Sequence, residues 1–285
     1  MIQVKVLDYF DKTSFSNIQP LEGHVWQNGR ENAEAFVFMN ASIGGSIPNE
    51  SCLLLSEPYD YLSILSGQDF RQALLNMVSK SPFINIFIYD DELVEISDLF
   101  RKTLPGTPTW ISQEDRDVHV KTKNVSMISS RKNFCSGHRL RVQVADIMKT
   151  CQLVDLFGRD FGVPVENKID CKRDYRFSIV IENQMIPGWH TEKILDCFMT
   201  GTIPVYYGDP NIGNYYDTNG ILRLEDVFGS LNPNDWDLDN INRLNSDLYD
   251  QMKESAVHNF EVACQMDSKY RLPNIINNIC LESFQ

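Results

Sequence analysis

The sequence lacks several features by which membrane proteins, nucleic-acid-binding proteins and common enzyme families are recognised. No stretch approaches the roughly 18 consecutive apolar residues expected of a membrane-spanning helix. Basic residues number 26 against 39 acidic ones, a formal charge of −13, which argues against non-specific nucleic-acid binding because that depends on neutralising phosphates. The chain also lacks a P-loop, a G-x-G-x-x-G motif and a nucleophile elbow. What remains is a globular composition over 285 residues, enough for one large domain or two ordinary ones.

Cysteine pairs and metal-ligand patterns are missing as well. The seven cysteines are dispersed and include no C-x-x-C, which favours reduced thiols in the cytosol over a disulfide framework. The five histidines show no ligand spacing, so we predict neither a metal site nor a cofactor, and we expect His190 to be an exposed loop residue. The first residues lack a basic segment followed by a long apolar run, and they are predicted to form the first strand of a cytoplasmic protein.

Strand and helix patterns alternate along most of the chain. In the first half, strands are predicted at 4–7, 35–39, 52–55 and 84–88, with helices at 69–79 and 92–102. The second half begins with a strand at 125–129, a helix at 138–150 and a strand at 153–157, and beyond residue 236 the pattern is mostly helical. The polar segment 112–124 is the best boundary. The sequence therefore predicts two α/β domains that face a cleft, at 1–118 and 119–285.

The most informative stretch is 175–208, YRFSIVIENQMIPGWHTEKILDCFMTGTIPVYYG. An apolar, β-branched run at 177–181 indicates a buried parallel strand. Pro187 and Gly188 mark a loop, Thr191 is a good N-cap, and Gly201 is a plausible end of the helix. A second strand is predicted at 203–207. Such a strand–helix–strand unit places a binding site for an anionic ligand beyond the carboxyl end of the first strand.

This stretch resembles the donor-binding motif of the α1,3/4-fucosyltransferase family. The matching positions are Phe177, Glu182, Asn183, Trp189, Thr191, Glu192, Lys193, Gly201, Pro204 and Gly208. The spacing between Glu-Asn and Thr-Glu-Lys looks like that of the bacterial members, and Trp189 stands where the family more often has Tyr or Phe. The resemblance implies a GT-B fold of two Rossmann-like domains. It also implies an inverting transferase that uses GDP-β-L-fucose without an obligatory metal.

A second match lies upstream, at 126–148. Arg141, five residues before Asp146, looks like the arginine that grips the donor diphosphate in the family, and Arg139 is an alternative. Leaving-group chemistry needs cations near the diphosphate, so Arg141 and Lys193 are the candidates. The alternatives are a surface arginine on an amphipathic helix and a solvated lysine in a first helical turn.

The remaining donor contacts are assigned by the same resemblance. Glu192 is expected to bind ribose hydroxyls, and Asn183 a sugar hydroxyl or a phosphate oxygen. Both could instead be ordinary helix-start and loop-capping residues. Trp189 would wall the donor or, alternatively, close the loop as a core aromatic. Glu182, at the end of a strand, is expected to be structural and to orient the loop.

The general base that inverting transfer requires is predicted in the first domain. Glu57 follows an apolar strand directly, where the family has a glutamate that acts as the base. A rim carboxylate without chemical function is the alternative for Glu57. The rival groups in the same region are Tyr59, Asp60, Asp90, Asp91 and Glu92.

Three alternatives compete with a fucosyltransferase that moves fucose from GDP-fucose to a glycan hydroxyl. A metal-dependent GT-A transferase would need an Asp-x-Asp motif after an apolar strand, and those at 115–117, 235–237 and 237–239 do not follow one. A donor other than GDP-fucose would keep the fold. A non-catalytic glycan- or nucleotide-binding protein would keep only the scaffold, which intact Arg141, Glu192 and Lys193 argue against.

Overall fold

The computed structural model describes residues 2–8, 24–26, 35–40 and 50–284. Contacts within the chain divide it into two units. The first consists of Met1–Thr107, Pro187–Trp189 and Ser268–Gln285, and the second of Pro108–Ile186 and His190–Asp267. None of the helices in these described ranges is long and apolar enough to cross a membrane.

The first unit is built on a six-stranded parallel sheet. Its strands are β1 (Ile2–Asp8), β2 (His24–Trp26), β3 (Ala35–Met39), β4 (Ser51–Leu54), β5 (Asn85–Ile88) and β6 (Phe100–Lys102), in the order β2-β1-β3-β4-β5-β6. Helices α1 (Tyr59–Ser66), α2 (Phe70–Asn76) and α3 (Asp91–Ile96) lie between β4 and β6 along the chain. Strand β4 is buried throughout, as expected of a central strand in a parallel sheet.

The helix predicted at 92–102 is wrong in its second half. Asp90 caps the start of α3 with its side chain, and the helix ends at Ile96, where Ser97 adopts an extended backbone. Phe100 then pairs with Ile86 in β6 and is almost completely buried. A strand buries this aromatic ring against the sheet, which outweighs the weak helical pattern of the segment.

The second unit contains a five-stranded parallel sheet in the order β11-β10-β9-β7-β8. The strands are β7 (Lys123–Ile128), β8 (Asp155–Phe157), β9 (Tyr175–Ile181), β10 (Ile203–Tyr207) and β11 (Leu222–Arg223). The helices are α4 (Ser136–Cys151), α5 (Glu192–Phe198), α6 (Leu224–Phe228) and α7 (Ser246–Met266). Apart from Arg176, β9 is buried along its length, as is β10 except for Tyr207, so the core of this unit lies on both faces of these strands.

The last helix, α8 (Leu272–Ser283), belongs to the first unit. Ile275, Ile276 and Ile279 pack in the same apolar core as Val37 and Phe87. The contact-based division therefore differs from the predicted domains 1–118 and 119–285: the boundary falls at 107/108, and residues 268–285 return to the first unit. Burial of this amphipathic helix against the first sheet is a tertiary effect that local sequence patterns do not reveal.

Candidate functional site

The end of β9 carries a fully buried carboxylate, that of Glu182. The backbone N–H of Thr191 donates to Glu182 Oε1 at 2.9 Å, and the Thr191 hydroxyl lies 2.8 Å from Oε2. Lys193 Nζ donates to Oε2 at 3.1 Å. A buried carboxylate is stable only when it is paired and hydrogen-bonded, so Glu182 fixes the first turn of α5 against the end of the strand.

Lys193 lies between two carboxylates. Its Nζ also approaches Glu192 Oε1 at 3.4 Å and donates to the Thr191 hydroxyl at 2.9 Å. Burial lowers the pKa of Lys193, but Glu182 and Glu192 more than offset this and hold that pKa above its ordinary value. The lysine is therefore a cation, at a helix start where a positive charge would otherwise be unfavourable.

Arg141 on α4 reaches the same strand end. Its Nε donates to the carbonyl of Ile181 at 3.1 Å, and Nη2 donates to Asn183 Oδ1 at 2.7 Å. The helix comes this close because Gly137 has no side chain: a Cβ there would lie 1.9 Å from the carbonyl oxygen of Glu182. Arg139, the alternative arginine, is exposed on the same helix.

Arg141, Glu192 and Lys193 line a pocket of about 170 Å³ in the second unit. Its lining residues come from the carboxyl ends of β7 and β9, from α4, from the start of α5 and from the turn before β9. They are Ile128, Ser129, Ser130, Arg141, Lys168, Lys172, Ile179, Val180, Ile181, Glu192, Lys193 and Asp196. Four of these side chains are basic and two are acidic. An acidic chain thus contains a locally basic pocket, at the edge of the sheet where parallel α/β proteins bind ligands.

The acidic residues of the pocket are themselves held by cations. Burial would raise the pKa of Glu192, but Lys193 and Lys168 outweigh it, and that pKa lies below its ordinary value. Asp196, one helical turn further along α5, pairs with Lys168 Nζ at 3.1 Å and accepts the backbone N–H of Trp110 at 2.8 Å. Glu192 is therefore an ionised acceptor, which is the form suited to binding hydroxyl groups.

His138 is a buried neighbour of these cations that the sequence did not single out. It lies three residues before Arg141 on α4 and accepts the backbone N–H of Cys135 at Nδ1, 3.2 Å away. Burial, with Arg141, Lys193, Lys132 and Arg139 nearby, lowers the pKa of His138 to about 4. The i, i+3 spacing of His138 and Arg141 is the signal that could have placed both on one face of the helix.

The predicted site residues fall into two groups. Arg141, Glu192 and Lys193 line one pocket of the second unit, and Asn183 binds Arg141 beside it. Trp189 belongs to the first unit, where it is buried, and its ring meets Tyr89 at a centroid distance of 4.5 Å. Glu57 also belongs to the first unit and is half-buried between β4 and α1. The roles assigned to these six residues stay predictions.

The rivals of Glu57 are engaged in the structure of the first unit. Asp90 caps α3, accepts the Tyr59 hydroxyl at 2.7 Å and pairs with Arg71. Burial, together with Tyr89 and Asp90, raises the pKa of Tyr59 far above its ordinary value, so the phenol is not a base near neutral pH.

The two other acidic rivals beside Asp90 are paired as well. Asp91 pairs with Lys102, and Glu92 with Arg71 at 2.8 Å. Asp60 lies in the first turn of α1.

The expectation that His190 is an exposed loop residue is wrong. Its side chain is completely buried, with Nδ1 3.0 Å from Asp209 Oδ2 and the ring against Tyr215 and Tyr216. The buried carboxylate of Asp209 explains the placement, because it needs a partner. This pairing joins residues 19 positions apart, and no local pattern in the sequence indicates it.

Three aspartates of the Asp-x-Asp motifs make local turn contacts. Asp115 accepts the Ser112 hydroxyl at 2.8 Å, Asp235 accepts Asn232 Nδ2 at 2.8 Å, and Asp237 caps the turn that follows it. Within the described ranges, no group of three or more His, Cys, Asp or Glu side chains is arranged to hold a metal ion.

Comparisons with known proteins identify the fold first. A solved α1,3-fucosyltransferase with GDP superposes with a TM-score of 0.57 at 15% identity, covering 95% of this chain and 92% of that one. An α1,3-fucosyltransferase with GDP-fucose gives 0.51 at 16% identity, covering 95% and 82%. At such identities the likeness concerns the fold alone. The predicted fold, a GT-B glycosyltransferase architecture of two Rossmann-like units, is thereby confirmed.

The sequence comparisons then show a similarity to a fucosyltransferase family over part of the chain. Residues 118–227 match the model of the glycosyltransferase family 10 (fucosyltransferase) C-terminal domain. The α-(1,3)-fucosyltransferase FucT of Helicobacter pylori is 32% identical over 65 residues, which are 23% of this chain and 14% of that protein. The curated relatives are matched over only 14% to 34% of their own lengths. The similarity to family 10 therefore concerns residues 118–227, and the resemblance that the motif indicates is confirmed.

The lowered pKa of His138 predicts a loss of stability in mild acid. The folded protein keeps this imidazole neutral down to about pH 4, whereas an unfolded histidine takes up a proton below about pH 6.5. The unfolded state therefore binds more protons than the folded state between these pH values. As the pH is lowered through this range, the free energy of unfolding decreases by up to about 1.4 kcal/mol per pH unit. Thermal unfolding from pH 7 to pH 5 measures this dependence.

The matched variant for that prediction is His138→Gln, which keeps an acceptor for the Cys135 N–H at the N3 position of the helix. We expect the variant to flatten the dependence between pH 6.5 and pH 5. An unchanged slope would show that His138 titrates normally in the folded protein.

Proposed function

We propose that the protein is an inverting glycosyltransferase that moves fucose from GDP-fucose to a hydroxyl group of a glycan acceptor. The observation that carries the proposal is the basic pocket at the ends of β7 and β9, where Arg141 and Lys193 meet the ionised Glu192. The match to the family 10 domain over residues 118–227 supports the choice of donor.

The cations of the pocket suit a departing nucleoside diphosphate. Negative charge develops on the leaving diphosphate as the sugar bond breaks, and fixed cations stabilise it most where water is excluded. Arg141 is held by its bonds to Ile181 and Asn183, and Lys193 is held by Glu182. Neither group needs to reorganise when the charge appears, which is the condition for efficient electrostatic catalysis.

Glu192 and Asn183 would supply the hydroxyl contacts of the donor. The Glu192 carboxylate is an acceptor suited to ribose hydroxyls, and the Asn183 amide can both donate and accept. In the first unit, Glu57 would take the proton of the acceptor hydroxyl as that oxygen attacks the anomeric carbon from the side opposite the diphosphate. That direction of attack inverts the configuration of the sugar carbon.

Titration calorimetry with GDP and UDP tests the nucleotide. We expect GDP to bind and UDP to bind more weakly, because the proposed donor is GDP-fucose. Arg141→Ala should weaken GDP binding about 10- to 100-fold, since a charge-assisted hydrogen bond contributes roughly 1.5–3 kcal/mol. Tighter binding of UDP than of GDP would contradict the assignment of GDP-fucose as the donor, but not the assignment of the fold.

Arg139→Ala is the matched control, because Arg139 is exposed on the same helix two residues earlier. Its affinity for GDP should be that of the unchanged protein. Thermal unfolding of both variants separates a folding defect from a binding defect. Equal losses in the two variants would contradict the assignment of Arg141.

Glu57→Gln tests the general base. The amide keeps the size of the side chain but cannot accept a proton, so kcat should fall about 100- to 10,000-fold while GDP affinity is unchanged. Transfer is measured with GDP-fucose and a panel of oligosaccharide acceptors. Asp60→Asn, a nearby carboxylate in the first turn of α1, is the control. Full activity of Glu57→Gln would show that another residue is the general base.

Chelation tests the role of metal ions. Because the proposed site neutralises the diphosphate with Arg141 and Lys193, transfer in excess EDTA should equal transfer without it. Complete loss of activity that added Mg²⁺ or Mn²⁺ restores would favour a metal-dependent mechanism instead.

A further inference from the structure

Leu55, Ser56 and Glu57 each make a backbone hydrogen bond to another part of the first unit. The backbone N–H of Leu55 donates to the carbonyl of Phe87 at 2.9 Å, continuing the sheet. The N–H of Ser56 donates to Asn40 Oδ1 at 2.9 Å. The carbonyl of Glu57 then accepts the hydroxyl of Tyr89 at 2.8 Å. Beyond it, Pro58 is the N-cap of α1, and the Tyr89 hydroxyl holds the backbone of Glu57 between the end of the sheet and this helix.

Tyr89 is a rigid donor for this bond. The residue follows β5 directly and is completely buried. Its carbonyl accepts Lys102 Nζ at 2.5 Å, and its ring packs against Tyr59 and Trp189 at centroid distances of 5.8 and 4.5 Å. Complete burial and these two ring contacts leave the ring little freedom to move, so the hydroxyl holds a defined position.

The loop of the donor motif is docked on the same residue. The N–H of Asp91 donates to the carbonyl of Pro187 at 3.2 Å, and Trp189 places its ring edge-on against Tyr89. Gly188 has a positive φ of 85°, and a Cβ there would come within 2.1 Å of the Tyr89 carbonyl oxygen. Only glycine permits this approach, so the loop and Tyr89 are fitted to each other.

We propose that Tyr89 is a positioning residue for the transfer reaction, which holds the backbone of Glu57 through its hydroxyl and receives the motif loop on its ring. The inference rests on the proposed function, in which Glu57 is the base. A base must be held within about 0.5 Å of the productive geometry, and a half-buried carboxylate at the end of a strand has that precision only if its backbone is fixed. Tyr89 acts through Glu57 and takes no part in the proton transfer itself.

Tyr89→Phe is the test, because it removes the hydroxyl and keeps the ring that packs against Trp189. We expect kcat to fall about tenfold, with the affinity for GDP in calorimetry unchanged. In the Glu57→Gln background the same substitution should cause no further loss, since a positioning residue has nothing left to position. Hydrogen exchange of the peptide covering 55–62 should be faster in Tyr89→Phe whether or not transfer is observed.

Tyr249→Phe is the matched control. Tyr249 is also buried and donates its hydroxyl to a backbone carbonyl, that of Gly201, at 2.9 Å in the second unit. It should lose a comparable amount of stability and retain kcat. The control shows whether the loss of a buried tyrosine–carbonyl bond is by itself enough to lower activity.

The outcomes separate the inference from the function on which it rests. Equal fold-losses for Tyr89→Phe in the wild-type and Glu57→Gln backgrounds would overturn the positioning role and leave the transferase proposal intact. Unchanged exchange in the 55–62 peptide would also overturn it. Absence of GDP binding and of fucose transfer in the unchanged protein would instead refute the proposed function, and the exchange measurement would still decide whether Tyr89 fixes the Glu57 backbone.

Discussion

The pocket depends on one buried carboxylate. Glu182 is fully shielded from water and gathers the Thr191 N–H, the Thr191 hydroxyl and Lys193 Nζ. An ionised carboxylate without such partners would cost several kcal/mol in the interior, so the strand end and the first turn of α5 can exist only together. The direction of Lys193, and with it the approach of its Nζ to Glu192, follows from this pairing. Glu182, which the sequence predicts to be structural, thus positions the lysine of the motif.

Local charge and overall charge have opposite signs in this protein. The chain carries a formal charge of −13, yet four basic side chains line the pocket against two acidic ones. Because salt screens charges beyond about 8–10 Å, the surface acidity is weakly felt in the pocket. The acidic partners keep the cations ionised while leaving the region positive overall. Burial is the largest cause of the lowered pKa of His138, and the nearby Arg141 and Lys193 lower that pKa further.

The sequence predicts the motif region well because its local signals agree with one another. The strand at 203–207 has the bounds of β10, Thr191 caps α5 with its side chain, and Gly201 has the positive φ expected after a helix end. The helix at 92–102 fails because Phe100 gains more from pairing in the sheet than from helical spacing. The expectation for His190 fails for a related reason, because a distant partner, Asp209, decides its place. The core around Val37 likewise decides where α8 packs. Residue types and spacing could nominate Arg141, Glu192 and Lys193, but the fixing of Lys193 by Glu182 and the burial of His138 become visible only in three dimensions.

The division into units has a consequence for how such a protein can be recombined. The chain passes between the two units four times, after Thr107, after Ile186, after Trp189 and after Asp267. A single crossover between two related genes at the first of these points would exchange the strands of the first unit but leave behind α8 and the three loop residues that pack with them. The new strands would then pack against α8 and Trp189 from the other gene, which evolved to fit a different core. Diversity in the first unit is therefore expected to accumulate by substitution and loop change within one gene rather than by exchange of whole halves.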